Sequence, residues 1–377
     1  MKKSLVALAA FAAVSAFAQS SVTLSGNIKG GVAQTKYSGA AAGNGNGLSI
    51  ADGSSRFIIG GTEDLGGGLK AVFQIDTRFK LDEATAAAQA GGNTFVGLSG
   101  GLGMIQLGKL DTHYCLGSDQ HGARATALQA SSCSILGFVG TVTAPIANAT
   151  RTNNVIRYTT PNFSGFQAQA NYSTAFTAGA ATDGPVGDAG KGRAMSLGLN
   201  YGNGPFKAGV SFWDAKSENR TAGAARADQQ AATAFIDWNF GVATVGLTFD
   251  ESELENAAAG AAATQLKRRA WSIPVTVPLG AGTFLFTYTK ARDLKGSGFA
   301  TVAAANAATV DTGASMFSVG YDYALSKRTS LGVSYAKINN KAAAGYALYT
   351  QAALNGTPAN AVGQDASQLY LGVRHAF

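Results

Sequence analysis

The sequence predicts an all-β chain closed into a sixteen-stranded antiparallel transmembrane barrel, and three observations lead there. The last nine residues, Leu369 to Phe377, alternate with a period of two. This puts Leu369, Leu371, Val373, His375 and Phe377 on one face and Gln368, Tyr370, Gly372 and Arg374 on the other. The same pattern recurs between turns along the whole chain, so the apolar faces are expected to meet lipid. The second observation is at the other end. Met1-Lys2-Lys3, the apolar run Leu5 to Phe17 and the small-x-small site Ala16-Phe17-Ala18 read as a secretory signal over residues 1–18, with 19–377 as the mature chain. That run is shorter than the about 20 apolar residues a spanning helix needs, and no later segment is as uniformly apolar. The third is composition: 49 glycines, 7 prolines, 46% hydrophobic residues and a mean hydropathy of +0.07 fit alternation of lipid-facing and water-facing side chains.

Strands are expected near Val22 to Ala33, Ser55 to Thr62, Leu69 to Phe79, Asn93 to Ser99, Met104 to Lys109, Asn153 to Thr160, Phe166 to Thr174 and Arg193 to Tyr201. Eight more follow near Phe206 to Asp214, Ala234 to Phe240, Val242 to Asp250, Arg268 to Val277, Thr283 to Lys290, Ser315 to Tyr323, Thr329 to Ile338 and Ser367 to Phe377. Sixteen strands in the mature chain leave room for one connection each, whereas eight would leave far too much chain unassigned. The connections alternate in length. Tight turns such as Gly66-Gly67-Gly68 and Gly202-Asn203-Gly204-Pro205 are expected on the periplasmic side. Long connections such as Ser38 to Ser54, Asp111 to Thr152, Ala215 to Ala232, Glu251 to Leu266 and Asn339 to Ala366 are expected outside. The Ala-rich piece Ala257 to Ala263 is expected in a flexible outer loop.

Parity predicts a wet interior. In the third strand Leu69, Ala71, Phe73 and Ile75 face out, turning Lys70, Gln74, Asp76 and Arg78 inward. In the seventh, Phe166, Ala168, Ala170 and Tyr172 face out and Gln167, Gln169 and Asn171 in. Trp271, Trp238, Phe240, Tyr201, Tyr321, Tyr323 and Phe377 suit aromatic girdles at the membrane interfaces.

The segment Ser55-Arg56-Phe57-Ile58-Ile59-Gly60-Gly61-Thr62-Glu63-Asp64-Leu65-Gly66-Gly67-Gly68 resembles a hairpin of Gram-negative general porins. So do Val96-Gly97-Leu98-Ser99-Gly100, Gln106-Leu107-Gly108-Lys109 and Asn153-Asn154-Val155-Ile156-Arg157-Tyr158. The similarity runs from Ser20 to Phe377 and is strongest to the anion-selective betaproteobacterial type. It implies an outer-membrane homotrimer whose third loop, here 111–152, folds into the lumen as a constriction. It further implies contact with outer-membrane lipid and lipopolysaccharide, passive diffusion of small anionic solutes, and Tyr370 and Phe377 as the C-terminal signal for the barrel assembly machinery.

In that family basic residues on the wall face the inserted loop. The matching positions are Arg56, Lys109 and Arg151, while Asn93 stands where the family has an arginine and Arg157 is placed to compensate. A solvated lumen charge without a role in selectivity is the alternative at each position. The loop offers only Asp111 and Asp119 as acids, so a weak preference for anions is expected. Cys115 and Cys133 share this loop, and two cysteines in an exported chain are expected to pair. A soft-metal set of His113, Cys115, His121 and Cys133 has suitable ligand types but matches no zinc spacing, and free thiols are the third arrangement.

Other classes find little support. The charge is basic, 29 Lys and Arg against 22 Asp and Glu, or 27 against 22 once Lys2 and Lys3 are removed. Yet Lys267-Arg268-Arg269 is the longest basic run, and no nucleic-acid partner is expected. There is no Gly-x-Ser-x-Gly elbow, no His-Glu-x-x-His and no phosphate loop, so neither enzymatic activity nor a cofactor is expected. A channel preferring small organic anions, a barrel-embedded hydrolase and a receptor or adhesin using the loops are the alternatives.

Overall fold

The computed structural model describes residues 20–39, 46–82, 91–112, 130–136, 152–174, 192–216, 225–258, 264–297, 311–348 and 362–377. Its eighteen ladder segments form sixteen strands, because two strands are each interrupted once. In chain order they are β1 (Ser21–Gly39), β2 (Gly47–Asp52 and Ser55–Gly66), β3 (Leu69–Phe79), β4 (Thr94–Gly100), β5 (Gly103–Leu110), β6 (Thr152–Thr159), β7 (Phe166–Ser173) and β8 (Arg193–Asn203). Then come β9 (Phe206–Lys216), β10 (Ala225–Asn239), β11 (Thr244–Ala258), β12 (Thr264–Leu279), β13 (Gly282–Ala291 and Lys295–Ser297), β14 (Ala314–Ala324), β15 (Thr329–Asn340) and β16 (Gln364–Ala376). Each strand pairs antiparallel with the next, and β16 returns to β1 from Asn27↔Ala376 to Gly39↔Gln364, closing the barrel. Closure leaves no unpaired edge, the condition for a sheet in lipid.

The interruption in β2 has a clear local cause. Ser54 takes a positive φ of 84°, and the Asp52 carboxylate accepts from the Ser54 and Ser55 N–H groups at 2.7 and 3.0 Å. Between β2 and β3 the backbone turns through three consecutive positive φ values at Gly66, Gly67 and Gly68 (85°, 62° and 80°), which only glycine adopts without strain.

Burial follows the expected parity. Leu69, Phe73 and Ile75 are exposed while Asp76 and Arg78 are buried, and on β16 Leu369, Leu371 and Val373 are exposed while Tyr370 is buried. Exposed large apolar side chains on most strands, with half-buried ones such as Phe284, Phe286 and Phe317 on β13 and β14, are the reverse of a soluble protein and form the lipid-facing belt. At the short-turn end an aromatic row links β7 to β10: Phe166–Tyr201 at 4.4 Å, Tyr201–Phe206 at 6.1 Å, Phe206–Trp238 at 5.9 Å and Trp238–Phe240 at 6.4 Å.

At the long-connection end, the inner face of β8 to β16 carries an apolar cluster. Trp213, Leu254, Leu266, Met316 and Ile338 pack there with Ile135 and Leu136 and with Tyr346 and Leu348. Among the described residues the helical element is a 3-10 turn, Ser132–Ser134, and no helix among them is long and apolar enough to cross a membrane.

All sixteen expected strands are present, but several run further outward than expected. Asp228 pairs with Glu255, Glu253 with Lys267 and Glu251 with Arg269, so much of 215–232 and 251–266 is ladder rather than loop. Residues 257 and 258 are also strand, and 259–263 lie outside the described residues. Reading strands by their apolar face ends them where the lipid ends. Above that level polar cross-strand pairs continue the sheet, and Glu253 with Lys267 and Glu251 with Arg269 are of opposite charge. The same reasoning missed Gly47–Asp52, whose alternation is too short to stand out within Ser38 to Ser54.

Candidate functional site

Three strands bring charge together on the inner wall. Arg56 on β2 lies directly opposite Asn27 on β1 and Arg78 on β3, which puts two guanidiniums side by side. Between them sits Asp76. Arg78 clasps it in two places, Nε to Oδ1 and Nη2 to Oδ2, both at 3.1 Å, while Arg56 Nη1 reaches Oδ2 at 3.4 Å. The Asp76 N–H donates to Thr94 Oγ1 at 3.2 Å, and its carbonyl accepts from the Gly92 N–H at 3.0 Å. A Cβ at position 92 would overlap the Asp76 carboxylate, so the chain can pass there only as glycine.

Two cations around one anion leave one net positive charge. Its location follows from exposure. The side chains of Arg78 and Asp76 are 10% and 4% exposed, whereas that of Arg56 is 36% exposed. The bidentate Arg78 pair is therefore the internal one, and Arg56 presents the surplus to solvent.

The other expected wall residues divide into different tasks. Arg157 on β6 faces inward, as parity predicts, but it is buried. It donates through Nε to Asn171 Oδ1 at 2.7 Å and through Nη2 to the Asp111 carbonyl. Asn93 accepts from the Asp111 N–H through Oδ1 at 2.7 Å, and its own carbonyl accepts from Gln74 Nε2 at 2.8 Å. Both polar backbone groups of Asp111 are thus held by side chains of the wall. The next residue is tied as well: the Thr112 carbonyl accepts from Asn171 Nδ2 at 3.3 Å and Ser196 Oγ at 2.8 Å, and its hydroxyl lies 2.9 Å from that of Thr152. Lys109 pairs with Thr94 beside a register shift between Gly108 and Leu110, on the parity of the exposed Leu107 and Ile105 rather than that of the buried Gln106. Arg151, Asp119, Cys115, His113 and His121 lie outside the described residues.

The far part of the same loop has its own anchors. Ser318 on β14 donates to the Ala130 carbonyl at 2.8 Å, and Arg268 Nη1 on β12 donates to the Ile135 carbonyl at 3.0 Å. Both side chains have inward parity. Arg268 is fully buried, pairs with Asp250 and also donates to Ser252 Oγ at 3.1 Å. Cys133 is buried within this segment.

These contacts describe a barrel with a charged inner wall and a long connection tied to it at its start and again at Ala130 and Ile135. A family profile described as Gram-negative porin matches residues 4–343. The chain belongs to the Gram-negative porins. The porin is 30% identical to outer membrane porin protein 32 of Delftia acidovorans over an alignment covering 100% of both chains. Among solved structures it is similar to an anion-selective porin from Comamonas acidovorans, with 27% identity, a TM-score of 0.74 and coverage of 95% of this chain and 100% of that one. OmpT of Vibrio cholerae, solved in a trimer form, shares the fold at 13% identity with a TM-score of 0.66, covering 95% and 99% of the two chains. The porin is accordingly an outer-membrane channel for passive diffusion, which fits its lipid-facing belt and polar inner wall.

Sequence reasoning missed Asp76 as the neutralising partner and Arg268 as an anchor. For Arg268 a signal existed: it alternates with the outward Trp271 and Ile273, and an inward arginine needs a partner. For Asp76 the signal lies in strand register, which alternation alone does not give.

The C-terminal residues are placed by close packing. Tyr370 lies across Gly31 and Gly372, where side chains would collide with its ring. Phe377 exchanges both backbone hydrogen bonds with Gly26, at 3.1 and 3.2 Å.

Proposed function

We propose that the porin passes anions more readily than cations, and that Arg56 is the residue that biases them. The observation that carries this reading is the uneven sharing of Asp76: Arg78 occupies it bidentately, and the more exposed Arg56 keeps an uncompensated charge toward water. The similarity to a solved porin described as anion-selective supports the same sign. Arg151 adds to this charge from the root of the loop, and Lys109, given its parity, contributes little.

The loop 111–152 folds into the lumen and narrows it. The carbonyls of Ala130 and Ile135, which accept from inward-facing Ser318 and Arg268, support this. In this reading Arg157 and Asn93 hold the loop root in place of supplying selectivity charge. The porin works as a homotrimer, as the trimer form of OmpT suggests, with outer-membrane lipid and lipopolysaccharide around it, and it carries out no catalysis. Residues 1–18 are removed on export, and Tyr370 and Phe377 present the last strand to the assembly machinery.

Reversal potential across a planar bilayer in a salt gradient tests the reading. A potential of the anion-selective sign is expected, and the cation-selective sign would overturn the charge assignment.

A further inference from the structure

Beyond β15 the chain turns inward. Ala344, Tyr346 and Leu348 are buried, and they join the same apolar cluster as Ile135 and Leu136 of the loop 111–152. Asn340, the last residue of β15, holds this turn. Its side chain shares inward parity with the buried Ile338 and exchanges two hydrogen bonds with the Tyr346 backbone: Nδ2 donates to the carbonyl at 2.7 Å and Oδ1 accepts from the N–H at 3.0 Å. One side-chain amide thus gives Tyr346 the two bonds that a neighbouring strand would give. Asn340 is itself tied to β16, since Nδ2 also donates to the Gln364 carbonyl at 2.6 Å and its N–H donates to Asp365 Oδ1 at 2.7 Å.

Two contacts compete for the task of keeping residues 344–348 inside. At the rim Lys341 Nζ pairs with Asp293 Oδ2 at 2.7 Å, but the two side chains are 49% and 36% exposed, and water and salt screen such a pair. Asn340 serves a backbone N–H and a carbonyl of a fully buried residue, and stranding buried polar groups costs far more than an exposed ion pair returns. The weight therefore falls on Asn340.

Tyr346 shows what the turn is for. Its ring is fully buried, yet its hydroxyl makes no hydrogen bond among the described residues, so the side chain is present for its packing. The charges of Arg268 and Asp250 both act on the phenol, which places it beside the guanidinium that holds the Ile135 carbonyl. The wall grips the 130–136 segment through the carbonyls of Ala130 and Ile135. The Ile135 and Leu136 side chains need packing as well, and the segment 344–348 supplies part of it.

We propose that Asn340 and Tyr346 are positioning residues for the loop 111–152: clamped by Asn340, the segment 344–348 is a strut whose Tyr346 ring keeps residues 130–136 seated on the wall. The consequence for the channel rests on the reading that this loop narrows the lumen, and it gives the outer connection after β15 a part in setting that narrowing.

The test reads Cys133, which is buried within the held segment. In the full folded porin carrying Cys115→Ser, the rate at which a polar maleimide alkylates Cys133 reports how often residues 130–136 come away from the wall. Adding Tyr346→Ala should raise that rate roughly a hundredfold, and Asn340→Leu roughly tenfold. Tyr346→Phe keeps the ring and should leave the rate unchanged. Gel mobility, read on the same samples, reports the barrel as a whole, and the faster alkylation should appear well below the temperature at which that mobility is lost. Unchanged rates in Tyr346→Ala and Asn340→Leu, a Tyr346→Phe rate equal to that of Tyr346→Ala, or alkylation that rises only as the barrel unfolds would each overturn the strut. Single-channel records separate the two readings: faster alkylation with higher conductance and noise supports both, whereas faster alkylation with an unaltered channel upholds the strut and counts against the narrowing of the lumen by this loop.

Discussion

Replacing Arg56 with glutamate reverses the one well-exposed charge of the Asp76 cluster while leaving the Arg78–Asp76 pair in place. The size of the effect follows from Coulomb's law. An ion passing at about 7 Å in a water-filled lumen feels about 0.6 kcal/mol per unit charge, and salt near 0.1 M, with a screening length of about 10 Å, roughly halves this. Charge reversal is a change of two units. Chloride then becomes about 0.6 kcal/mol less favoured and potassium about 0.6 kcal/mol more favoured, so their permeability ratio should fall about sevenfold. Reversal potentials in a tenfold potassium chloride gradient read this ratio directly. Arg56→Gln should give about half the free-energy shift, and Asp76→Asn should move the potential the other way by releasing a second positive charge. An unchanged potential in Arg56→Glu, or a shift toward cations in Asp76→Asn, would refute the assignment of the surplus charge to Arg56.

Arg268→Met should lower the temperature at which the folded barrel loses its gel mobility, because it strands the buried Asp250 and frees the Ile135 carbonyl; breaking such a pair costs about 3–5 kcal/mol. An unchanged temperature would show that Arg268 does not anchor the loop. Tyr346 is fully buried, and burial, with Asp250 and Asp293 adding and Arg268 opposing, pushes its phenol up to about 12. A raised folded value gives stability that is complete below the ordinary tyrosine range near 10 and is lost as pH climbs through about 12. Alkaline titration should therefore loosen the wild-type packing of residues 344–348 over that window. Tyr346→Phe should remove that step, and an identical profile in both proteins would count against it. Cys115 and Cys133 should be recovered as a linked peptide pair by mass spectrometry of unreduced protein, with noisier single-channel records after reduction; both thiols alkylating freely without reductant would reject the bridge.

The strand count and facing of this porin were legible because one physical rule, alternation between lipid and water, acts on every strand. Leu69 and Asp76 fall on their proper sides for that reason alone. The rule stops at the membrane surface, and so the charged ladder pairing Glu251 with Arg269 and Glu253 with Lys267 read as loop. Arg56 was readable as an inward cation, whereas its relation to Arg78 and Asp76 depends on which residues stand opposite, a property of register rather than pattern. Asn93 and Arg157 show the same limit differently. Each looked like a gain or loss of wall charge, but their placement beside Asp111 gives them to the backbone of the loop root.

The overshooting strands β10 to β12 raise one sector of the barrel's rim. From Asp250 to Ala258, β11 continues paired on both sides for most of its length, and at about 3.3 Å per residue with a tilt near 40° this raises a parapet roughly 20 Å high. A large particle approaching that side meets hydrogen-bonded sheet braced by ion pairs. A peptide epitope grafted between Ala258 and Thr264 would stand on a stiff stalk, held away from the entrance it overlooks.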